Sequence, residues 1–463
     1  MKRRIRITVI SFWLLSEATS SWAQMTLHDC MQYAVNHATK MRLQAADRSD
    51  ERWQRRQAIL QVFTPSVDAQ TYAYNQYGRN LDPETNTYNS VTTFHNGYSI
   101  SAGITLFDGF KAINNMRMAS TMVKMGRSKE QQAQDEICLA TMEAYYNVIY
   151  YVELENVLSK QVNTTKAARD KAVRQEELGQ KGHADVLQME SELAQKEYQL
   201  INTTNHKNDA LITLKDVMFW PTDEELYIDN QISGFSQDNS MKEEFLFSAD
   251  KEDLTLITQD ALTETAKSVL PAAEIATLSV KQAKLDLQMA RGSYSPKLSL
   301  NAGWSTTYYT YPGRADYKAM SFGEQWKNNA GEYVQLSLSI PIYDQFQRRT
   351  NLHLKKNALS RAQADYDQTM RDIENEVARA VNDRDGAYAA FLQADKLATL
   401  QQEAFRLSTK QLENGLISAI EYQTASQTYL NAMAERVNAL LLLKIKDAVV
   451  RYYQGEPYLS YNK

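Results

Sequence analysis

The chain has 463 residues, of which 43% are hydrophobic and 23% are charged, a composition typical of folded proteins and long enough for about three domains. The net charge of −5 argues against a nucleic-acid-binding protein, which usually carries a basic face. Only 8 prolines and 16 glycines are present, and so few helix breakers favour long helices.

The N-terminus predicts an export signal over residues 1–23. Basic residues at positions 2–6 precede a short apolar run at 7–15, and Ala23 is a suitable small residue before a cleavage site. The alternative is a membrane anchor, but this run is much shorter than the ~20 residues that span a bilayer. We find no other apolar run of spanning length, so the mature chain, predicted to start at Gln24, is expected to be either periplasmic or a β-barrel.

Two cysteines follow the predicted signal, Cys30 and Cys138. They could pair in an oxidising compartment. Cysteines are more often small buried hydrophobic residues, and that interpretation is favoured here, with the disulfide left open.

The second half of the chain repeats the first. Segments that align at an offset of 236 residues are Ile104–Phe110 with Ile340–Phe346, Gly179 with Gly415, and Asp185 with Glu421. This duplication predicts two structural repeats, about 24–220 and 252–455. In one exported chain it is typical of a pseudo-symmetric ring or tube.

Each half shows the same order of predicted elements. They are a helix (27–62 and 258–291), two strands separated by a polar loop, a very long helix (110–178 and 343–414), and, after a glycine break, a shorter helix (184–219 and 419–453). Apolar residues recur in the long helices at the narrow helical spacing of coiled coils. They are Ala144, Val148, Tyr151, Leu158 and Val162 in the first, and Leu397, Leu400, Ala404 and Leu407 in the second.

The length of these helices is itself informative. A helix of about 70 residues rises about 105 Å, which is too long for a compact domain of this size. Residues 109–219 and 344–453 are therefore predicted to form elongated, antiparallel helical assemblies.

Four segments alternate between apolar and small polar residues with the period of a β-strand. They are centred on residues 67–74, 98–106, 297–304 and 334–342, within the regions 64–108 and 295–343. Each has the length of a tilted membrane-spanning strand, aromatic residues cluster near the ends, and Pro341 is expected near the end of the last strand. The alternative is a soluble sheet whose apolar face covers a core.

Four strands cannot close a membrane barrel, since the smallest use about eight. Open strand edges cannot face lipid, so the chain is expected to oligomerise in order to insert. The loops 78–97 and 308–332 are long and polar, and we expect them on the outer side of the membrane.

Several stretches together resemble the TolC family of outer-membrane efflux proteins. They are Thr26–Ala34, Leu178–Leu187, Ser295–Leu298, Leu338–Tyr343 and Asn414–Tyr422. None is specific alone, but their order, duplicated at fixed spacing after an export signal, is strongly specific.

The resemblance implies a mainly α fold with a membrane β-barrel. Each protomer would give four strands to a 12-stranded trimeric β-barrel and long antiparallel helices to an α-helical barrel. It also implies an equatorial region at 220–257 and 454–463. It further implies a homotrimer in the outer membrane of a Gram-negative bacterium, extending into the periplasm. The trimer would meet outer-membrane lipid, a periplasmic adaptor (membrane fusion) protein and an inner-membrane pump in an efflux or type I secretion system.

In the TolC family the helix-hairpin tips dock the adaptor. The matching residues here are Leu178 and Gly179 in the first hairpin and Asn414, Gly415 and Leu416 in the second. The alternative is that the glycines only permit a tight turn, and both interpretations can hold together.

The family also closes its periplasmic entrance with acidic residues and polar links between helices. Glu421 matches one acidic position and Asp185 its partner on the first hairpin. Thr424 and Ile417 stand where the best-known member has an acidic residue and an arginine, so we expect a weaker or differently built lock. Three copies of Glu421 would form a ring that favours cations; the alternative is a set of solvated surface carboxylates.

Other classes of function receive little support. The sequence contains no HExxH, GxSxG or P-loop motif, and no catalytic, cofactor, metal or nucleic-acid site is predicted. A soluble periplasmic coiled-coil scaffold or a surface adhesin is the second hypothesis. It would need no detergent for extraction, whereas an outer-membrane channel would.

Overall fold

The computed structural model describes residues 24–81, 86–90, 92–229, 259–313 and 320–460. Its elements in chain order are α1 (Leu27–His37), α2 (Thr39–Phe63), β1 (Ser66–Gln76), β2 (Arg79–Leu81), β3 (Tyr88–Ser90), β4 (Thr93–Phe107), α3 (Lys111–Glu177), α4 (His183–Met218), α5 (Gln259–Val269), α6 (Pro271–Gly292), β5 (Lys297–Thr310), α7 (Phe322–Asn328), β6 (Gly331–Ser339), α8 (Gln347–Glu413), α9 (Ala419–Tyr453) and a 3-10 turn (Tyr458–Ser460). The described residues of 1–39, 135–259 and 379–463 form one compact unit, the helical unit. Those of 40–134 and 260–378 form a second, the sheet unit.

The internal repeat is present in the structure at single-residue precision. Helices α3 and α8 both have 67 residues and begin and end 236 positions apart, and α4 and α9 also begin 236 apart. The two long helices start in the same way. The Asp108 carboxylate accepts a hydrogen bond from the Ala112 N–H, and the Asp344 carboxylate accepts one from the Arg348 N–H, both at 3.0 Å. Each satisfies an N–H that has no partner within its helix.

The sheet unit contains a four-stranded antiparallel sheet in the order β1-β4-β5-β6. Its register places Ile100 opposite Trp304 and Ala302 opposite Val334, so apolar residues share one face. All residues of the two outer strands, β1 and β6, are exposed. The four predicted strands are confirmed with shifted ends. The prediction that the last strand runs through Pro341 to residue 342 was wrong, since β6 ends at Ser339, two residues before Pro341, which lacks an N–H donor.

The described parts of the two predicted polar loops contain regular secondary structure. The first contains the β2–β3 pair, and the second contains α7, whose start is closed by reciprocal hydrogen bonds between Ser321 and Glu324. Gln325 of α7 is fully buried. Its amide donates to the Tyr309 carbonyl at 2.9 Å and accepts from the Tyr309 N–H at 3.0 Å. This side chain therefore takes the place of a strand partner beside the part of β5 that extends beyond β6.

Each of the two predicted 27–62 and 258–291 helices is broken into two. Ala38 separates α1 from α2 with extended backbone angles. Leu270 separates α5 from α6 with an extended backbone, as expected for the residue before Pro271.

In the helical unit, the predicted apolar stripe of α3 is buried at Ala144, Val148 and Leu158. The predicted stripe of α8 lies outside the core of the single chain. Leu397, Leu400, Ala404 and Leu407 are exposed in the single chain. The residues that α8 buries in this unit are mostly alanines, namely Ala380, Ala387, Ala394, Ala398 and Leu412. Small side chains let the helices approach closely, and a second, leucine-rich face is left uncovered.

Cys30 and Cys138 are both buried and neither forms a disulfide. Burial raises the pKa of each thiol to about 12. Among the helices that the structure describes, none has the length and hydropathy needed to cross a membrane. The predicted signal at 1–23 and most of the predicted equatorial segment, from residue 230 onward, lie outside the described residues.

Candidate functional site

The two hairpin tips of the helical unit have the same backbone turn. Hairpin 1 consists of α3, residues 178–182 and α4; hairpin 2 consists of α8, residues 414–418 and α9. In hairpin 1 the Gly179 N–H donates to the Glu176 carbonyl at 2.8 Å and the Gln180 N–H to the Gln175 carbonyl at 2.7 Å. This is a Schellman turn, which needs a left-handed residue at its centre.

Hairpin 2 repeats that turn. The Gly415 N–H donates to the Leu412 carbonyl at 3.0 Å and the Leu416 N–H to the Gln411 carbonyl at 2.8 Å. Gly179 and Gly415 both have φ of +71°, a conformation that glycine adopts without steric cost. The turn-permitting role of the two glycines is therefore visible in the geometry.

The tips also carry exposed apolar side chains. Leu178 is 71% exposed and Leu416 is 73% exposed, while Asn414 is exposed beside them. Among the described residues, and apart from the two chain neighbours of each glycine, no atom lies within 4 Å of the position that a Cβ would take at Gly179 or Gly415. Both tips thus have open space around a leucine, which suits contact with another protein.

Glu421 has a structural role at the start of α9. Its carboxylate accepts a hydrogen bond from the Ser418 N–H at 2.7 Å, and the Ser418 hydroxyl accepts one from the Glu421 N–H at 3.2 Å. The bond from the Ser418 backbone lowers the pKa of the exposed Glu421 carboxyl. This capping box gives Glu421 a structural role that does not require a pore. The carboxylate is nevertheless exposed to solvent. The equivalent cap position in hairpin 1 is Gly182, which has no side chain to offer Asp185.

The structure does not bring Asp185 and Glu421 to the same level. Helices α4 and α9 run in the same direction from their tips, and Gln195 and Gln199 of α4 contact Gln423 and Gln427 of α9. These contacts have an offset of 228 residues, whereas the repeat has 236. The difference of eight residues corresponds to about 12 Å along a helix, so Glu421 lies about two turns further from the tip of hairpin 1 than Asp185 does.

Thr424 lies on the same face of α9 as Glu421, three residues further on. It is exposed, and its hydroxyl donates to the Ile420 carbonyl at 3.0 Å. Of the three predicted entrance residues, the structure therefore groups Glu421 with Thr424 and separates both from Asp185.

Both hairpins meet in one apolar cluster just above the tips. Its buried members are Ala172, Val186, Met189, Leu412, Ala419 and Tyr422. The predicted adaptor residues and the predicted entrance residues therefore lie close to one buried cluster to which both hairpins contribute.

Next to this cluster lies a buried charged pair that the sequence did not reveal. Glu192 is 3% exposed and Lys196 is 1% exposed, and 3.7 Å separates the carboxylate from the ammonium group. Burial raises the pKa of Glu192 and lowers that of Lys196. Two opposite charges four residues apart usually lie on a wetted helix face, so only the fold distinguishes this pair from a surface pair.

The surroundings of the pair are polar but sparsely bonded. Tyr422, Thr165 and Ser426 are fully buried, and within the described residues their hydroxyl oxygens have no hydrogen-bond partner; nor do the carboxylate oxygens of Glu192. Across the described part of the chain, we find no group of three or more His, Cys, Asp or Glu side chains arranged to hold a metal ion.

Comparison with known proteins connects this architecture to one family. Residues 270–455 match the sequence model of the family described as "Outer membrane efflux protein". No curated protein sequence matches the chain.

Several solved structures share the fold. A CusC structure, described in terms of transmembrane channel formation, has a TM-score of 0.73 at 12% identity and covers 92% of this chain and 91% of its own. VceC, an outer membrane protein of Vibrio cholerae, has a TM-score of 0.70 at 13% identity, covering 93% and 96%. The CmeC outer membrane channel of Campylobacter jejuni has a TM-score of 0.68 at 15% identity, covering 94% and 88%. The predicted TolC-like fold is confirmed.

Proposed function

We propose that this chain, whose residues 270–455 match the outer membrane efflux protein family model, belongs to that family and that three copies of it form one passive duct. The duct would carry substrates through the periplasm and across the outer membrane. Each copy would give its four strands to a 12-stranded barrel and its hairpins to a helical barrel.

The observation that carries this proposal is the four-stranded sheet. Its outer strands β1 and β6 each pair on one side only within the described residues, and their backbone groups need partners before the sheet can lie in lipid. One face carries apolar residues along every strand, such as Ile100, Ala302 and Leu336. Joining β6 of one copy to β1 of the next satisfies both edges and turns this apolar face outward.

The helical unit supports association of copies independently. Along α8, Leu397, Leu400 and Leu407 are 47%, 60% and 48% exposed, and along α4, Ile201 and Ile212 are both 60% exposed. Exposed apolar side chains repeated along a helix mark a surface that a partner covers. Because α4 and α8 belong to different hairpins of the same chain, the apolar stripe of α4 in one copy can cover the apolar stripe of α8 in the next copy.

Docking to an inner-membrane pump through a periplasmic adaptor is a further part of the proposal. The exposed leucines of the two tips and the open space at Gly179 and Gly415 support it. Glu421 and Thr424, which share an exposed face of α9, are proposed to line the periplasmic entrance, with Asp185 at a separate level.

A charge placed on either face of β6 tests the barrel. A lysine on a lipid-facing position at the bilayer midplane costs about 2–4 kcal/mol, whereas lumen positions tolerate polar groups. We therefore expect Leu336→Lys to abolish recovery of the trimer from outer membranes, while Gln335→Lys, on the opposite face of the same strand, leaves it intact. Detergent extraction, gel filtration and conductance in planar bilayers provide the readouts.

Two outcomes would refute the proposal. Equal tolerance of the two lysines would mean that neither face of β6 meets lipid. Recovery of the wild-type chain as a stable, water-soluble monomer without conductance would favour the scaffold hypothesis instead.

A further inference from the structure

Each hairpin is held in register by ion pairs between its own two helices. In hairpin 1, Lys207 of α4 contacts Glu155 of α3 at 2.6 Å. In hairpin 2, Arg436 of α9 contacts Asp395 of α8 at 2.8 Å. A pairing of this kind depends on one particular carboxylate, so each hairpin is expected to move as one body.

Near the tips, the polar contacts between the hairpins are of a different kind, since their acceptors are amide or backbone oxygens; the Lys196 ammonium, for example, donates to the Gln427 side-chain oxygen at 3.3 Å. The Gln423 amide donates to the Gln195 side-chain oxygen at 2.9 Å, and the Gln199 amide donates to the Gln427 side-chain oxygen at 3.3 Å. Side-chain amides are both donors and acceptors, so any amide of similar length at the same place could serve equally.

Two further contacts between the hairpins go to the backbone. The Gln161 side chain donates to the Ser426 carbonyl at 3.2 Å, and the Lys171 ammonium donates to the Glu413 carbonyl at 2.9 Å. Backbone carbonyls recur at every residue. These contacts therefore hold the hairpins together but specify their register weakly.

A row of amides along α9 supplies equivalent partners one turn away. Gln423, Gln427 and Asn431 are spaced four residues apart, and the Gln427 amide donates to the Asn431 side chain at 2.9 Å. A shift of hairpin 2 by four residues toward the tips would place Gln427 opposite Gln195 and Asn431 opposite Gln199. A shift in the opposite direction would place Ala419 opposite Gln195 and lose an amide pair, so the row allows one direction only.

We propose that hairpin 2 moves along hairpin 1 between two registers one helical turn apart, and that the amide row of α9 supplies hydrogen-bond partners in both registers. We call this movement the ratchet. The step is about 6 Å for four residues. One-turn displacements of packed helices are a known form of two-state transition.

The buried core of the resting register is compatible with this second state. Tyr422 and Ser426 occupy successive turns of α9 and both are fully buried, with hydroxyl groups that lack partners among the described residues. The shift would move Tyr422 out toward the tips, where water can reach its hydroxyl, and would bring Ser426 beside Thr165, the present neighbour of Tyr422. A resting state with unmet buried hydrogen bonds is held less firmly than a fully bonded one.

A specific contact at the other end of α9 stabilises the resting register. The Tyr452 hydroxyl donates to the Asp135 carboxylate of α3 at 2.9 Å. The shift must break this bond, so Tyr452→Phe is expected to favour the shifted register without removing buried apolar surface.

The consequence for transport rests on the proposed function, whereas the shift itself does not. The step would reduce the separation of Glu421 and Asp185 along the helix axis, here called the stagger, from about 12 Å to about 6 Å. In a trimeric entrance it would also bring the two tips of each copy closer to one level.

Disulfide formation between introduced cysteines tests the register directly. In the resting state Gln195→Cys with Gln423→Cys should cross-link readily. Two diagonal pairs, Gln195→Cys with Gln427→Cys and Gln199→Cys with Gln423→Cys, are each one turn out of register there. The proposed shift brings the first diagonal pair together and moves the second further apart. Single-cysteine variants of the full-length protein report any bonds between copies.

We expect the first diagonal pair to oxidise at least tenfold faster than the second, and Tyr452→Phe to increase this ratio further. Equal rates for the two diagonal pairs would show ordinary helix breathing and overturn the ratchet. Failure of the Gln195–Gln423 pair to form would overturn the resting register on which it depends. Because this readout is made on the protein alone, loss of conductance would count against the proposed function and not against the ratchet.

Discussion

Removing one member of the buried pair is expected to destabilise the helical unit strongly. Glu192→Gln leaves the ammonium of Lys196, 1% exposed, without its counter-charge. The protein can escape by deprotonating Lys196, which at pH 7 costs about 4.6 kcal/mol from a reference pKa of 10.4. Lys196→Met leaves Glu192 to protonate, at about 3.7 kcal/mol from a reference pKa of 4.3. Both figures are ceilings and agree with the ~3–5 kcal/mol found when one partner of a buried pair is removed.

The two variants should respond to pH in opposite directions. In Glu192→Gln the unfolded chain binds the Lys196 proton that the folded chain has lost, so stability rises with pH by up to about 1.4 kcal/mol per unit until pH approaches 10.4. In Lys196→Met the folded chain holds the Glu192 proton that the unfolded chain has lost, so stability falls as pH rises above about 4.3. These directions follow the burial effects on the wild-type groups, a raised pKa for Glu192 and a lowered pKa for Lys196.

Thermal unfolding of the detergent-solubilised protein, followed by far-ultraviolet circular dichroism at about pH 5, 7 and 9, measures both effects relative to the wild type. The double variant Glu192→Gln with Lys196→Met removes both charges and should recover most of the loss. If the two single variants lost little stability, or if both had the pH dependence of the wild type, the pair would have to be hydrated rather than buried.

Four further predictions concern the tips and the entrance. Gly415→Ala, at φ +71°, should destabilise the tip by about 1–2 kcal/mol and speed exchange of its amide hydrogens, whereas Gly386→Ala, in open space inside the preceding helix α8, should stabilise by about 0.5–1 kcal/mol. A bulky residue at Gly415 should reduce adaptor cross-linking without reducing trimer yield; normal cross-linking would count against that contact. Glu421→Gln, which retains a side chain able to cap α9, should lower cation selectivity in planar bilayers, and unchanged selectivity would exclude it from the pore. Asp185→Asn should add to that effect independently, since about 12 Å exceeds the screening length of ~8 Å in physiological salt; a strong coupling would place both carboxylates in one ring.

The features that sequence analysis located well are those with a local chemical cause. The C-terminal ends of the long helices were predicted to within one residue because glycines at 179 and 415 follow them in both halves. The strands were found because alternation of apolar and polar residues survives even where both faces are exposed, as in β1 and β6.

The features that were missed depend on contacts distant in sequence. The break at Ala38 has no glycine or proline beside it, and that residue is fully buried, so tertiary packing ends α1. The break before Pro271 is the exception, because a proline disfavours helical backbone angles in the residue before it. The position of α7 depends on Gln325 binding the free edge of β5, which no pattern within residues 308–332 indicates.

The candidate site shows the same division more sharply. Sequence repetition makes Asp185 and Glu421 equivalent, yet the packing of α4 on α9 uses an offset of 228 rather than 236. Equivalent residues of the two hairpins therefore meet different neighbours: Asp185 follows a glycine at the cap position, whereas Glu421 is bonded to Ser418. The stagger allows one duplicated sequence to give two distinct tips. It also concentrates the ion pairs described above within each hairpin. Near the tips, the described contacts between the hairpins end on side-chain amide oxygens and backbone carbonyls, including those made by the Lys196 and Lys171 ammonium groups, so relative movement of the hairpins there breaks no carboxylate–ammonium pair among them.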